Sequence, residues 1–181
     1  MSNLTDFFPS GGGGLTPKFQ EFNASGTFTP SQALIDAGGY IEVFLVAGGG
    51  GGYNASQTNP GRGGEVKNVK MYLTSVSNIT VTLGSGGSSA NPGNPGGDSS
   101  FLAASAGGFD AVSTGGAGGG GSRSFASAWW DGGNGVNGYG AAGFNGQYLS
   151  GPPTSGASNS GQGGQYNLSG GSGYCLIKWY E

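Results

Sequence analysis

The sequence predicts a mainly β fold, a small β-sandwich carrying long glycine-rich loops that are candidates for polyglycine or polyproline-II-like helices. Three observations predict it. Short runs of alternating or β-branched apolar residues recur along the chain, as half-buried strands require. Helix signals are confined to one short stretch. The 44 glycines among 181 residues gather between and after the apolar runs, where they can neither build a conventional core nor propagate a helix.

Glycine and proline at this level usually signal disorder. Two features oppose that here. Charged residues are only 8 % of the chain at a net charge of −3, so the self-repulsion that keeps disordered chains open is nearly absent. Aromatic residues reach 12 %, and a weakly charged chain rich in rings folds or aggregates. A folded protein of unusual construction is expected.

Residues 1–17 read as an arm: "LTDFFP" is an apolar plug and "SGGGGLTP" a flexible tether. Leu4, Phe7 and Phe8 are its candidate docking residues, either folding back on the domain or inserting into another protein. Residues 18–181 then form the glycine-rich β domain. "KFQEFNASGTFTP" carries Phe19, Phe22 and Phe28 around a turn near Ser25 and Gly26. "PSQALIDAG" can make a turn or two of helix, stopped by Gly38. "YIEVFLVA" (40–47) puts Ile41, Val43 and Leu45 on one face. "EVKNVKMYL" (65–73) follows, then "NITVTLG" (78–84) with Ile79, Val81 and Leu83 in alternation, and "SSFLAAS" (99–105). "YCLIKWYE" (174–181) is the closing strand. Strands are thus expected over about 18–105 and 173–181, with distal glycine-rich loops over about 106–172.

Some glycines in those loops keep a period of three, as in Gly115, Gly118 and Gly121, or Gly132, Gly135 and Gly138, or Gly140, Gly143 and Gly146. Three residues per turn is the polyproline II period, and a glycine at every third position leaves one bare side. Extended helices can then approach until their backbone N–H and C=O groups pair.

The ordered set "YIEVFLVAGGGGGG", "ITVTLGSGG", "GGDSSF" and "GGSGYCLIKWYE" resembles the glycine-rich domains of bacteriophage tail fibres and tail-tip proteins. More loosely, it is similar to tip adhesins in which polyglycine-II helices pack as a sandwich and variable loops contact the host receptor. The resemblance implies a virion component, made in the host cytoplasm and carried on the tail. Its implied partners are other phage tail or virion proteins and a bacterial surface glycan or outer-membrane protein. The alternative within the same setting is a structural or decoration protein that cements tail, baseplate or capsid.

The chemistry legible in the residues points to binding. Histidine is absent, which removes His-based triads and His-metal sites. Asp98, Asp110 and Asp131 lie in loops, where aspartates more often bond backbone than form a catalytic pair. Gly48 to Gly52 follow a strand but lack the Gly-Lys-Ser/Thr of a phosphate loop, so close backbone packing is the better reading. Cys175, the single cysteine, sits in an apolar run and reads as an inert buried thiol. Neither a cofactor nor a metal is expected, and no enzymatic activity. Six basic residues against nine acidic ones argue against nucleic acid. No apolar run of about 18 residues argues for membrane insertion, and the N-terminal residues do not read as a secretion signal.

What remains is "RSFASAWWDGGNGVNGYGAAGFNGQY", rings among Ser, Gly and Asn, which is the palette of binding surfaces. Trp129, Trp130, Asp131, Tyr139, Phe144 and Tyr148 are the candidate receptor-binding residues, with Tyr53 and Tyr166 as weaker ones. Some of these rings could instead cover glycine seams. A homo-oligomer is left open, since neither a heptad nor a repeat argues for a particular number of chains.

Overall fold

The computed structural model describes residues 14–53, 60–116, 158–164 and 167–181. They form two antiparallel four-stranded sheets packed face to face, a small β-sandwich. One sheet has the order β1-β8-β3-β4, from Pro17–Phe22 (β1), Tyr174–Tyr180 (β8), Tyr40–Val46 (β3) and Val66–Tyr72 (β4). The other has the order β2-β5-β6-β7, from Gly26–Phe28 (β2), Ile79–Thr82 (β5), Ser99–Leu102 (β6) and Ala111–Ser113 (β7).

The alternation in the sequence is what fixes the facing. Ile41, Val43 and Leu45 of β3, with Cys175 and Ile177 of β8, point inward and are fully buried. They meet Phe28 of β2, Ile79 and Val81 of β5, and Phe101 of β6 in one core. Each such side chain removed from water contributes about 1.5–3 kcal/mol before its ordering entropy. Phe28 packs edge-on against Trp179 at 5.3 Å and tilted against Phe101 at 6.2 Å, which ties the two sheets at one end. Cys175 lies in this core and burial pushes its thiol up to about 12.

One helix, α1 (Gln32–Asp36), sits where the sequence places it. The Ser31 side chain accepts the Leu34 N–H at 3.0 Å as N-cap, and Leu34 plugs the core. The chain leaves the helix through Gly38 and Gly39, both at positive φ; a Cβ on Gly39 would lie 1.9 Å from the Leu73 carbonyl oxygen.

Phe19 and Phe22, three residues apart on β1, face opposite sides of the strand, so Phe22 is buried against the sheet that holds Phe28 and Phe19 is exposed. The structure departs from the expected layout in one place: β7 lies beyond residue 105, inside the range expected to be loop. Its three residues extend the second sheet beside β6, with Ala111 and Ser113 turned inward.

Candidate functional site

Beyond the ends of β3 and β5, and leading into β4, β6 and β8, the chain leaves the sheets and forms a second layer of order built almost wholly from glycine. Residues 48–52 continue β3 outward as its axis. Their N–H groups take neighbours in strict rotation. Ala47 and Gly50 donate to Glu65 and Arg62, Gly48 and Gly51 to Gly97 and Asn94, and Gly49 and Gly52 to Gly171 and Leu168, all at 2.8–3.0 Å. Each neighbour is met again three residues later, the repeat of an extended three-fold helix and not of a strand. The axis carbonyls of Gly48, Gly49 and Gly50 in turn accept from Gly116, Gly87 and Gly164, each at 2.8 Å.

Six segments therefore surround the axis. Those it donates to (61–65, 94–97 and 168–171) run antiparallel to it, and those it accepts from (85–88, 114–116 and 161–164) run parallel. The six are also bonded to one another around a closed ring. Gly61 and Gly64 donate to Gly164 and Gly161, Gly171 to Gln162, Gly170 to Gly87, Gly97 to Ser85, Gly96 to Gly116, and Glu65 to Thr114, at 2.7–2.9 Å. Ascending and descending segments alternate around the ring. Residues 46–52 are wholly buried, yet their backbone groups find partners in every direction, as buried peptide groups must.

Only glycine permits this spacing. A Cβ on Gly48, Gly49 or Gly51 would stand 2.0–2.1 Å from the carbonyl oxygens of Ser85, Gln162 and Ser88. Side chains are admitted at outward positions alone: Gly84 and Gly87 are buried while Ser85 and Ser88 between and beyond them are exposed. Gly115 is the one member of the predicted period-three set among the described residues, and it belongs to this ring. The helices that the sequence assigns to 106–172 are, in the described part, assembled mostly from glycines lying between the strands before residue 105.

Polar side chains secure the junction with the sandwich. Ser99, fully buried on β6, accepts the Gly84 N–H at 2.9 Å and donates to the Val46 carbonyl at 2.7 Å. The Ser113 hydroxyl donates to the Glu65 carbonyl. The Glu65 carboxylate takes the Thr114 N–H at 2.9 Å, and Asp98 takes that of Gly115 at 2.8 Å. Asp110 likewise accepts the Ala104 N–H at 3.1 Å. Both aspartates that the sequence places in loops and the structure describes are thus engaged with backbone.

At the end of the bundle away from the sandwich, two of its reversals come together. Asn94 closes one by donating its backbone N–H to Ser88 O at 3.0 Å and its side-chain amide to Ser88 Oγ at 2.8 Å. A second passes through Asn167, at φ 57°, whose N–H reaches Tyr53 O at 3.4 Å. Ser89 Oγ donates to Asn167 Oδ1 at 3.4 Å, and Tyr53 bridges to Ala90. Asn91, Pro92, Asn94 and Asn167 are exposed, and Tyr53 is half-buried. The result is a platform of amides and hydroxyls beside one phenol, mounted on a rigid stem. It can offer hydrogen bonds and a ring face. Among the described residues no group of three or more His, Cys, Asp or Glu could hold a metal ion.

Of the predicted site residues, Tyr53 lies at this tip. Trp129, Trp130, Asp131, Tyr139, Phe144, Tyr148 and Tyr166 lie outside the described residues, as do Leu4, Phe7 and Phe8. The stretch bearing the two tryptophans follows Gly116, a ring member that accepts from Gly96 and donates to Gly48. The tip residues Ser88, Ser89, Asn91, Asn94 and Asn167 were not singled out by their sequence. "SSANPGN", flanked by glycine runs, is nevertheless a recognisable reversal signature.

No helix among the described residues is long and apolar enough to cross a membrane, which says nothing of a β-barrel. No curated protein and no solved structure matches the chain. Residues 23–180 match the protein family described as a glycine-rich domain.

Proposed function

The chain belongs to the glycine-rich domain family, and from that premise we propose that it is a bacteriophage virion component, a tail-fibre or tail-tip protein that binds a host surface receptor. One observation carries the reading. The glycine bundle is a cross-linked stem, and the two reversals closed by Asn94 and Asn167 are gathered at its end furthest from the sandwich, where a binding surface would be presented outward. A stem with backbone bonds on all sides holds loops of free sequence in fixed relative positions, which is what recognition by loops needs. The aromatic stretch with Trp129, Trp130, Asp131, Tyr139, Phe144 and Tyr148 lies in the sequence that follows a ring segment ending at Gly116. Its rings suit the C–H faces of a bacterial surface glycan or an apolar patch on an outer-membrane protein. The activity proposed is binding, without catalysis and without a cofactor.

The test is adsorption. Purified chain should compete with phage for host cells, and a Trp129→Ala/Trp130→Ala double variant should lose that competition while keeping the wild-type melting temperature. A double variant that competes as well as wild type removes the aromatic stretch from the reading. The second reading, a structural or decoration protein that contacts only its virion neighbours, is favoured by the exposed aromatic face of the β1-β8-β3-β4 sheet. Localising the bundle on intact particles separates the two: a solvent-facing tip supports receptor binding, and a bundle covered by neighbours supports the structural role.

A further inference from the structure

The large apolar side chains that the sandwich leaves in water are unevenly placed. Leu15 (58 % exposed), Phe19 (70 %), Tyr72 (65 %) and Tyr180 (54 %) all belong to one end of the β1-β8-β3-β4 sheet. The register explains why. Pro17 pairs with Tyr180, and Tyr40 with Tyr72, while Phe19, Lys178, Glu42 and Lys70 form the adjacent row on the same outward face. The rings of Tyr40 and Tyr72 are 5.4 Å apart. Tyr40 donates to Glu42 at 3.0 Å, and Glu42 pairs with Lys70 at 3.1 Å. β3 leads into the glycine bundle from Val46, so the Tyr40 end is the end remote from it. Thr16 and Glu181 exchange backbone hydrogen bonds at that same end, so the chain arrives there from its N-terminal side. The outward face of the other sheet differs: Thr27, Thr80 and Thr82 lie among its exposed apolar groups.

We propose that this remote face is the seat of the chain's own N-terminal segment, residues 4–8, bound through Leu4, Phe7 and Phe8. Reach allows it: seven residues from Phe8 to Leu15 span up to about 24 Å, and crossing the sheet from β1 to β4 takes about 14 Å. The tether is Pro9, Ser10 and four glycines, which adds little stiffness against folding back. Composition matches: three apolar side chains meet four exposed ones, and Asp6 beside Phe7 supplies a carboxylate for the exposed Lys178 ammonium. A tethered segment acts at a millimolar effective concentration, so it outcompetes a second copy for the seat in dilute solution.

Hydroxyl-radical footprinting of the full chain tests this, read residue by residue and at two protein concentrations. Phe19, Tyr72 and Tyr180 should oxidise about fivefold more slowly than in a Phe7→Ser/Phe8→Ser variant, as a seat occupied four-fifths of the time requires. Exposed Phe109, outside this sheet, should be unchanged and serves as the folding control. The reciprocal variant, Phe19→Ser/Tyr72→Ser, should speed oxidation of Phe7 and Phe8. Equal rates in wild type and the Phe7→Ser/Phe8→Ser variant overturn the proposal. Protection that disappears on dilution assigns the seat to a second copy and overturns it equally.

Discussion

Gly49→Ala is the sharpest test of the glycine bundle. Gly49 lies on the buried axis, donates to Gly171 O at 2.9 Å and accepts from Gly87 N at 2.8 Å. An added Cβ would stand 2.0 Å from Gln162 O and 2.3 Å from its carbonyl carbon. Ordinary contact begins at 3.4 Å, so segment 161–164 must retreat by about 1.4 Å. That retreat stretches two bonds of the same segment, Gly164 N to Gly50 O and Gly61 N to Gly164 O, both 2.8 Å. Breaking the two bonds leaves buried groups without partners, at about 1–3 kcal/mol per bond. Alanine's restriction of the unfolded chain offsets about 0.5 kcal/mol. The net expectation is a loss of about 4 kcal/mol, or roughly 10 °C in melting temperature for a domain of this size. Urea unfolding followed by Trp fluorescence would measure it, with Gly14→Ala as control because nothing lies within 4 Å of its added Cβ. If Gly49→Ala unfolds within about 1 kcal/mol of wild type, an ordinary surface-substitution effect, the close-packed axis is wrong.

Other expectations follow from the junction and the sheet surface. Ser99→Ala removes a buried hydroxyl that both accepts and donates, and it should cost about 2–4 kcal/mol in the same assay, since Gly84 N–H and Val46 C=O each lose a partner. The pH profile should be flat between pH 5 and 8, because the chain has no histidine and the Cys175 thiol is pushed up to about 12. Lys70 holds Glu42 below its ordinary value of 4.5, and the Ser31 hydroxyl does the same for Glu181. Both carboxylates therefore contribute stability that is complete above pH 4.5 and is lost as pH falls through their folded values. Lys70, raised from 10.5 by the Glu42 hydrogen bond, works in the opposite sense, its contribution being lost only as pH climbs past its folded value. Thermal melts from pH 2 to 11 would check the plateau; a transition near pH 6.5 would contradict it.

The strands were legible because their signal is local. Ile41, Val43 and Leu45, or Ile79 and Val81, declare a buried face by alternation alone, and the structure buries each of them. Gly38 after "QALID" marks the stop of α1 locally, and the structure adds Ser31 as its N-cap. Gly48 to Gly52 were legible as a backbone that must pack closely, since no phosphate-loop chemistry accompanies them. Phe19 and Phe22 stand three apart and so on opposite faces of β1, but which of them turns inward was not legible: the pairing of β1 with β8 sets Phe22 beside buried Cys175 and Phe19 beside exposed Lys178. β7 was missed because three residues, Ala111, Val112 and Ser113, hold too little alternation to register; β6 alongside them makes the strand.

By itself, then, the sequence determined composition-level facts and local geometry: mostly β, one capped helical turn, glycine runs stripped of side chains so that backbones can touch, and no imidazole chemistry. Which backbones touch was decided by the tertiary structure. A three-fold extended helix has no internal hydrogen bonds, so nothing within residues 48–52 prefers one neighbour over another, and glycine runs are interchangeable as text. The choice is made when the sandwich closes. Pairing of β3 with β4 and β8, and of β5 with β6, brings the chain out at fixed points around Val46, and from those points the six segments satisfy their N–H and C=O groups against the axis and one another.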